Sequence, residues 1–281
     1  GFVTIPETLN AVDAWLSSIP GNAYANVRQP IVSTLNLAHM MPVSAVWAGQ
    51  ERNAHLDGPP LIVTRTDGAT PFRLVTHIGD VGNTLVVGPI GMGKSVLLAT
   101  MAMQFRRYRG SRIFAFDMGR SIRAAILGMG GEHYDLGADD EIAFQPLARI
   151  DREGYRTWAS EWVEGRLLHE GAAVGPDEKA AIWSALGSLA SAPVEQRTLT
   201  GLTALLQSNT LRQALAPYVL GGAHGRLLDA DHDRLGTSDV QAFEMEELMH
   251  SKAAVLAVLR YLFARFEERL DGAPTLLILD E

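Results

Sequence analysis

Apolar residues recur along this chain with two different periods, and the change of period divides it. Short, nearly continuous apolar runs at 84–87, 112–116 and 275–279 predict strands buried on both faces, as in a parallel sheet. Residues 95–104 predict a helix leaving the first run, and 240–243 predict a further strand. Residues 246–270 predict a long amphipathic helix with Leu248, Met249, Leu256, Leu259, Phe263 and Phe266 on one face, stopped by Gly272 and Pro274. Strands alternating with helices predict a doubly wound α/β fold with a parallel sheet. Helical spacing alone, at 152–169, 176–190 and 199–206, predicts an all-helical insertion or lid over 151–220, with the core divided into 79–150 and 221–281.

The segment 1–78 has a different character and reads as a lead-in module. Leu9, Val12, Trp15 and Leu16 predict a helix over 7–18, ended by Pro20 and Gly21. Residues 61–65 and 71–76 flank Asp67 and Gly68, the pattern of a β-hairpin.

Chemistry enters where the first buried run ends. Gly88, Pro89, Ile90, Gly91, Met92, Gly93, Lys94 and Ser95 fit G-x-x-x-x-G-K-[ST], between a predicted strand and a predicted helix that begins at Ser95 and Val96. Glycines let the backbone wrap so that N–H groups point at phosphate oxygens, and the helix N-terminus adds partial positive charge. Lys94 is placed to reach the β- and γ-phosphates, and the Ser95 hydroxyl to complete a Mg²⁺ shell. The run 275–279 ends in Asp280 and Glu281. Asp280 then organises Mg²⁺ through its water shell, and Glu281 orients and deprotonates the attacking water; the alternative is an ordinary strand followed by two solvated acids. Asp117 ends another core strand, either at the metal shell or a neighbouring subunit, or as a cap for a helix starting near Ser121. Glu244 is placed comparably, and for it the structural role is favoured.

Composition narrows the partners. Thirty-two acidic against 24 basic residues leave a net charge of −8, which disfavours a dominant nucleic-acid surface, although Arg106, Arg107, Arg109 and Arg112 form a local basic run. Cysteine is absent, so thiolate metal sites and disulfides are excluded. No apolar run reaches the length of a transmembrane helix. His224, His232 and His250 lack partners at ligand spacing, and Asp229, Asp231 and Asp233 lack the glycine and closing glutamate of a calcium loop. Trp158, Trp162 and Trp183 are expected to fill the core of the insertion. The sequence opens without methionine and closes inside its second motif, so it is expected to belong to something longer.

A set of strings, in order, resembles the TrbE-like conjugal-transfer ATPases of type IV secretion systems. They are YANVR at 24–28, STLNLAH at 33–39, HLDGPP at 55–60, HIGDVG at 77–82, the glycine loop at Gly88, FAFD at 114–117, GGEHYDLG at 130–137, FEM at 243–245, and the strand ending in Asp280 and Glu281. The resemblance implies a RecA-like P-loop NTPase core with an all-helical insertion, agreeing with the periodicity. It also implies ATP and Mg²⁺ as ligands, and a homo-hexamer on the cytoplasmic side of the bacterial inner membrane, beside other secretion components. ATP hydrolysis would support pilus assembly or substrate transfer. Lys94 and Glu281 match the family's catalytic positions, Gly88 through Val96 its nucleotide loop, and Ser95 and Asp280 its metal positions. The family favours small or hydroxylated residues where Ile90 and Met92 stand, a more polar residue at Met118 and glycine at Arg120. Its sensor strand and arginine fingers have no counterpart here, so this chain alone is expected to bind nucleotide better than it hydrolyses it. Two other readings stay open from the residues: a DNA translocase of the HerA/FtsK kind, with direct nucleic-acid binding undecided, and a scaffold that binds ATP without turnover.

Overall fold

The computed structural model describes residues 6–22, 24–25, 27, 33–41, 47–137 and 142–280. Contacts group the chain into two units, 1–48 and 49–281. In the first, α1 (Ala11–Ser17) falls inside the expected helix, and α2 (Thr34–Met40) is capped by Ser33, whose hydroxyl accepts from the Asn36 N–H at 3.2 Å.

The second unit opens with a hairpin, β1 (Ile62–Thr64) against β2 (Phe72–Leu74), antiparallel with Ile62 opposite Leu74. Its loop runs through 65–71, around Asp67 and Gly68 as expected. The α3 helix (Lys94–Phe105) follows, and the chain beyond it ties the hairpin down: Arg107 donates to the Pro60 and Leu61 carbonyls and the Tyr108 hydroxyl to that of Pro59. The basic run is therefore partly structural. Arg106 donates to the Ser111 carbonyl, and Arg112 pairs with Asp271 at 2.8 Å.

The chain continues through β3 (Arg112–Asp117), α4 (Arg123–Gly128) and β4 (Glu132–Asp135). Four helices follow, α5 (Glu153–His169), α6 (Pro176–Leu189), α7 (Leu199–Leu205) and α8 (Asn209–Leu215), then the short α9 (Gly225–Leu228). Last come β5 (Val240–Glu244), α10 (Lys252–Glu267) and β6 (Thr275–Leu279). The four strands β4-β5-β3-β6, in that order, form a fully parallel sheet.

Alternate residues of the central strands feed two cores, as a sheet covered on both faces requires. Ile113, Ala115, Val240, Ala242 and Ile278 pack with Met101, Ala102, Phe105 and Ile126 of α3 and α4. Phe114, Phe116 and Phe243 pack with α10 and with the helices of the insertion in one continuous core. Trp162 is fully buried there, and its indole N–H donates to the Ala257 carbonyl at 3.0 Å.

Several expectations need correction. Residues 84–87 form no strand, since no strand among the described residues pairs with them; Leu85 and Val87 are exposed, and a cavity of about 690 Å³ lies between this segment and β6. A strand exists only through its ladder, and an apolar run cannot supply one by itself. The β4 strand was not anticipated because its sequence, EHYD, carries no apolar run. The buried side of α10 is Ala254, Ala257, Val258, Tyr261, Leu262 and Phe266, whereas Met249, Leu256 and Phe263 stay partly exposed. Small residues let that side approach α5, whose Trp162 reaches the Ala257 carbonyl, and hydropathy underrates them. Trp183 is also exposed, with the Arg156 guanidinium 5.4 Å from its ring centre.

Burial holds three histidines, His77, His133 and His224, below their ordinary value of 6.5, with repulsion from His55, Arg123 and His169 respectively adding to it. Below about 6.5 the unfolded chain thus binds more protons than the folded one, so stability rises with pH through that window and levels off above it. Urea midpoints are expected to hold steady between about pH 8 and pH 7 and to fall on going to about pH 5.5, with His133→Gln shallowing the fall. An unchanged slope in that variant would remove His133 from the account.

Candidate nucleotide site

The loop 88–93 feeds directly into α3, and its geometry depends on two glycines. Gly91 at φ 81° and Gly93 at φ 86° occupy the left-handed region, which other residues enter at a cost of about 1–2 kcal/mol. Nothing stands within 4 Å of where a Cβ would project from either, so the loop opens onto free space. Lys94, the first residue of α3, folds back over the loop and donates from Nζ to the Gly88 carbonyl at 3.1 Å. The side chains of Ile90, Met92 and Val96 are exposed, so these residues leave the loop's backbone unobstructed.

The strands end in a row of acids. Asp135 is in register with Glu244 and Glu244 with Asp117. Asp280 comes next, its N–H donating to the Phe116 carbonyl at 3.0 Å as the β3–β6 ladder closes. Carboxylates side by side repel one another, and each needs donors. The turn 119–122 supplies most of them. The N–H groups of Gly119 and Glu246 donate to Glu244 at 3.1 and 3.0 Å, with the Arg120 N–H beside them. The Arg120 guanidinium donates to Asp135 from Nε and Nη2, at 2.9 and 2.7 Å. Asp117, fully buried, accepts from the Ser121 hydroxyl at 2.6 Å and the Ile122 N–H at 2.9 Å. Of the two readings of Asp117, the geometry realises the cap ahead of α4, and burial removes contact with a neighbouring subunit. Arg120 sits at φ 57°, a backbone that glycine adopts freely; its paired contacts with Asp135 offset the strain.

Asp280 faces the loop. The Ser95 hydroxyl donates to its Oδ2 at 3.0 Å, joining residues 185 positions apart, and the Ser121 hydroxyl lies 3.3 Å from the same oxygen. The two sequence motifs therefore converge on one point at the carboxyl end of the sheet, where α/β folds hold their ligands. Glu281 lies outside the described residues. The sequence marked Ser121 only as a helix start and Arg120 only as a departure from the family's glycine, and gave neither a place at the site; their position in the turn just after a core strand was the available signal. Among the described residues no three His, Cys, Asp or Glu side chains come together as a metal cluster.

A parallel sheet with helices on both faces, and a glycine loop opening the helix that meets the acid of an edge strand, define an α/β fold of the P-loop kind. The chain shares its fold with the solved VirB4 of Thermoanaerobacter pseudethanolicus, at a TM-score of 0.50 and 20% identity, over 69% of this chain and 59% of that one. No family model matches it. In sequence it is homologous along its whole length to TrbE conjugal-transfer proteins. It is 43% identical to the conjugal transfer protein TrbE of Rhizobium radiobacter and 41% identical to a probable TrbE conjugal transfer protein of Sinorhizobium fredii. The type IV secretion system protein virB4 of Bartonella quintana is 26% identical over the full chain. The chain spans 35% and 44% of the length of the two TrbE proteins, respectively.

Proposed function

We propose that this chain carries the nucleotide site of a conjugative type IV secretion motor, binding ATP with Mg²⁺ and contributing to its hydrolysis. The observation that carries the reading is the 3.0 Å contact between Ser95 and Asp280, which assembles a loop for phosphate and an acid for a metal at one place. Homology to TrbE and VirB4 proteins supports conjugation over the other P-loop readings.

The residues fit the ligands. The open space over Gly91 and Gly93, with the N-terminus of α3 behind it, suits a phosphate chain. Mg²⁺ keeps several waters and takes few protein oxygens besides substrate phosphates, so the Ser95 hydroxyl as a hard oxygen donor and the Asp280 carboxylate anchoring the water shell would suffice once nucleotide is present. Bound there, Mg²⁺ supplies charge neutralisation for phosphoryl transfer. Lys94 releases the Gly88 carbonyl and neutralises the β- and γ-phosphates. Ser95 and Asp280 hold the metal side, and Glu281 orients the attacking water and takes its proton. The complete protein works as a homo-hexamer on the cytoplasmic side of the inner membrane, with other secretion components. No helix among the described residues is long and apolar enough to cross a membrane.

Thermal unfolding tests the site. At about 100 times its Kd, MgATP should stabilise the chain by about 2.7 kcal/mol, and ATP with EDTA by distinctly less. No shift with either would remove the proposal.

A further inference from the structure

Ser121 touches two acids at once, and its chemistry allows it to serve only one of them as a donor. Its Oγ is 2.6 Å from Asp117 Oδ1 and 3.3 Å from Asp280 Oδ2. A hydroxyl has one proton and two lone pairs. Asp117 is fully buried and its carboxylate demands donors, and its contact is the shorter, so the proton goes to Asp117. The Ser121 oxygen then turns lone pairs toward Asp280, which is itself an acceptor. Two acceptor oxygens at that separation call for a proton donor that both can share. In the structure Ser95 already donates into the same Asp280 oxygen, at 3.0 Å.

We propose that Ser121 is a positioning residue for the hydration shell of the divalent cation at this site. A cation-bound water would donate one hydrogen to Asp280 Oδ2 and the other to Ser121 Oγ. Asp117 acts at one remove, since by taking the Ser121 proton it aims the lone pairs at the shell. The inference rests on the Mg²⁺–nucleotide reading above. It gives a second purpose to a buried acid that otherwise only caps a turn, and it links the end of β3 to the metal side of the site.

The test reads metal affinity rather than turnover. Mn²⁺ is titrated into the chain saturated with a non-hydrolysable ATP analogue, and free Mn²⁺ is read by electron paramagnetic resonance. Affinity for the same analogue is measured separately in EDTA. Ser121→Ala should weaken Mn²⁺ binding roughly five-fold, the worth of one hydrogen bond, and leave binding in EDTA unchanged. Ser121→Thr, which keeps the hydroxyl, should restore it. Asp117→Asn provides an independent arm that retains shape and partners. Its carbonyl can still accept from Ile122, and its amide donates to Ser121, turning the serine proton toward Asp280 and closing the acceptor; Mn²⁺ binding should weaken there as well. Wild-type Mn²⁺ affinity in both Ser121→Ala and Asp117→Asn overturns the inference, as does an equal loss in EDTA. If the wild-type chain adds nothing to the Mn²⁺ affinity of the analogue alone, the nucleotide reading itself falls.

Discussion

Lys94→Ala should lower affinity for MgATP on the order of 100-fold, about 2.7 kcal/mol, while leaving the fold intact. The size follows from what the ammonium would do. Hydrogen bonds to charged groups contribute roughly 1.5–3 kcal/mol each, and Lys94 stands where it can reach two phosphates. The fold is spared because Lys94 opens α3 and its ammonium reaches a loop carbonyl, that of Gly88, rather than the core. Alanine is also a good residue for the first turn of a helix, so the loop–helix junction survives the change. Calorimetric titration of both proteins decides the matter, with far-ultraviolet circular dichroism as the control for folding. Unchanged affinity would mean that the glycine loop is not the phosphate site.

Glu281→Gln in the complete protein should cut ATP hydrolysis by roughly 10²- to 10⁴-fold and leave ATP binding in place. Glutamine keeps the size and polarity of glutamate but cannot take a proton, so the substitution removes the base and little else. The metal side remains, because Asp280 is held independently: its N–H donates to Phe116 and its carboxylate accepts from Ser95. Steady-state phosphate release, compared with nucleotide retained on the protein, measures both effects. A variant that still supports conjugal transfer at the wild-type rate would show that binding, not turnover, is what the system uses.

The periodic pattern made much of this legible. Continuous apolar runs located β3, β5 and β6, since strands covered by helices are rich in apolar residues, although β6 leaves Leu277 and Leu279 exposed and β5 buries the polar Gln241. Helical spacing located α5, α6, α7 and α10. Where the pattern misled, the reason was a contact between distant segments. Residues 84–87 have the composition of a strand but no partner among the described residues, and β4 has a partner but not the composition. On α10 the buried side was set by what small residues such as Ala254 and Ala257 could approach, which no count of large apolar residues would find.

The site divides in the same way. By itself the sequence determined the chemistry at each end: a glycine loop with Lys94 and Ser95, and an acid closing an apolar run at Asp280. Those are local matters of residue type and spacing. Only the tertiary structure decided that the two ends meet at Ser95 and Asp280, and that Ser121 stands beside them. That meeting is fixed by strand register, which sets Glu244 beside Asp117 and carries Asp280 into the same row. Register depends on hydrogen bonds between segments far apart in the chain, and no local stretch of sequence contains them.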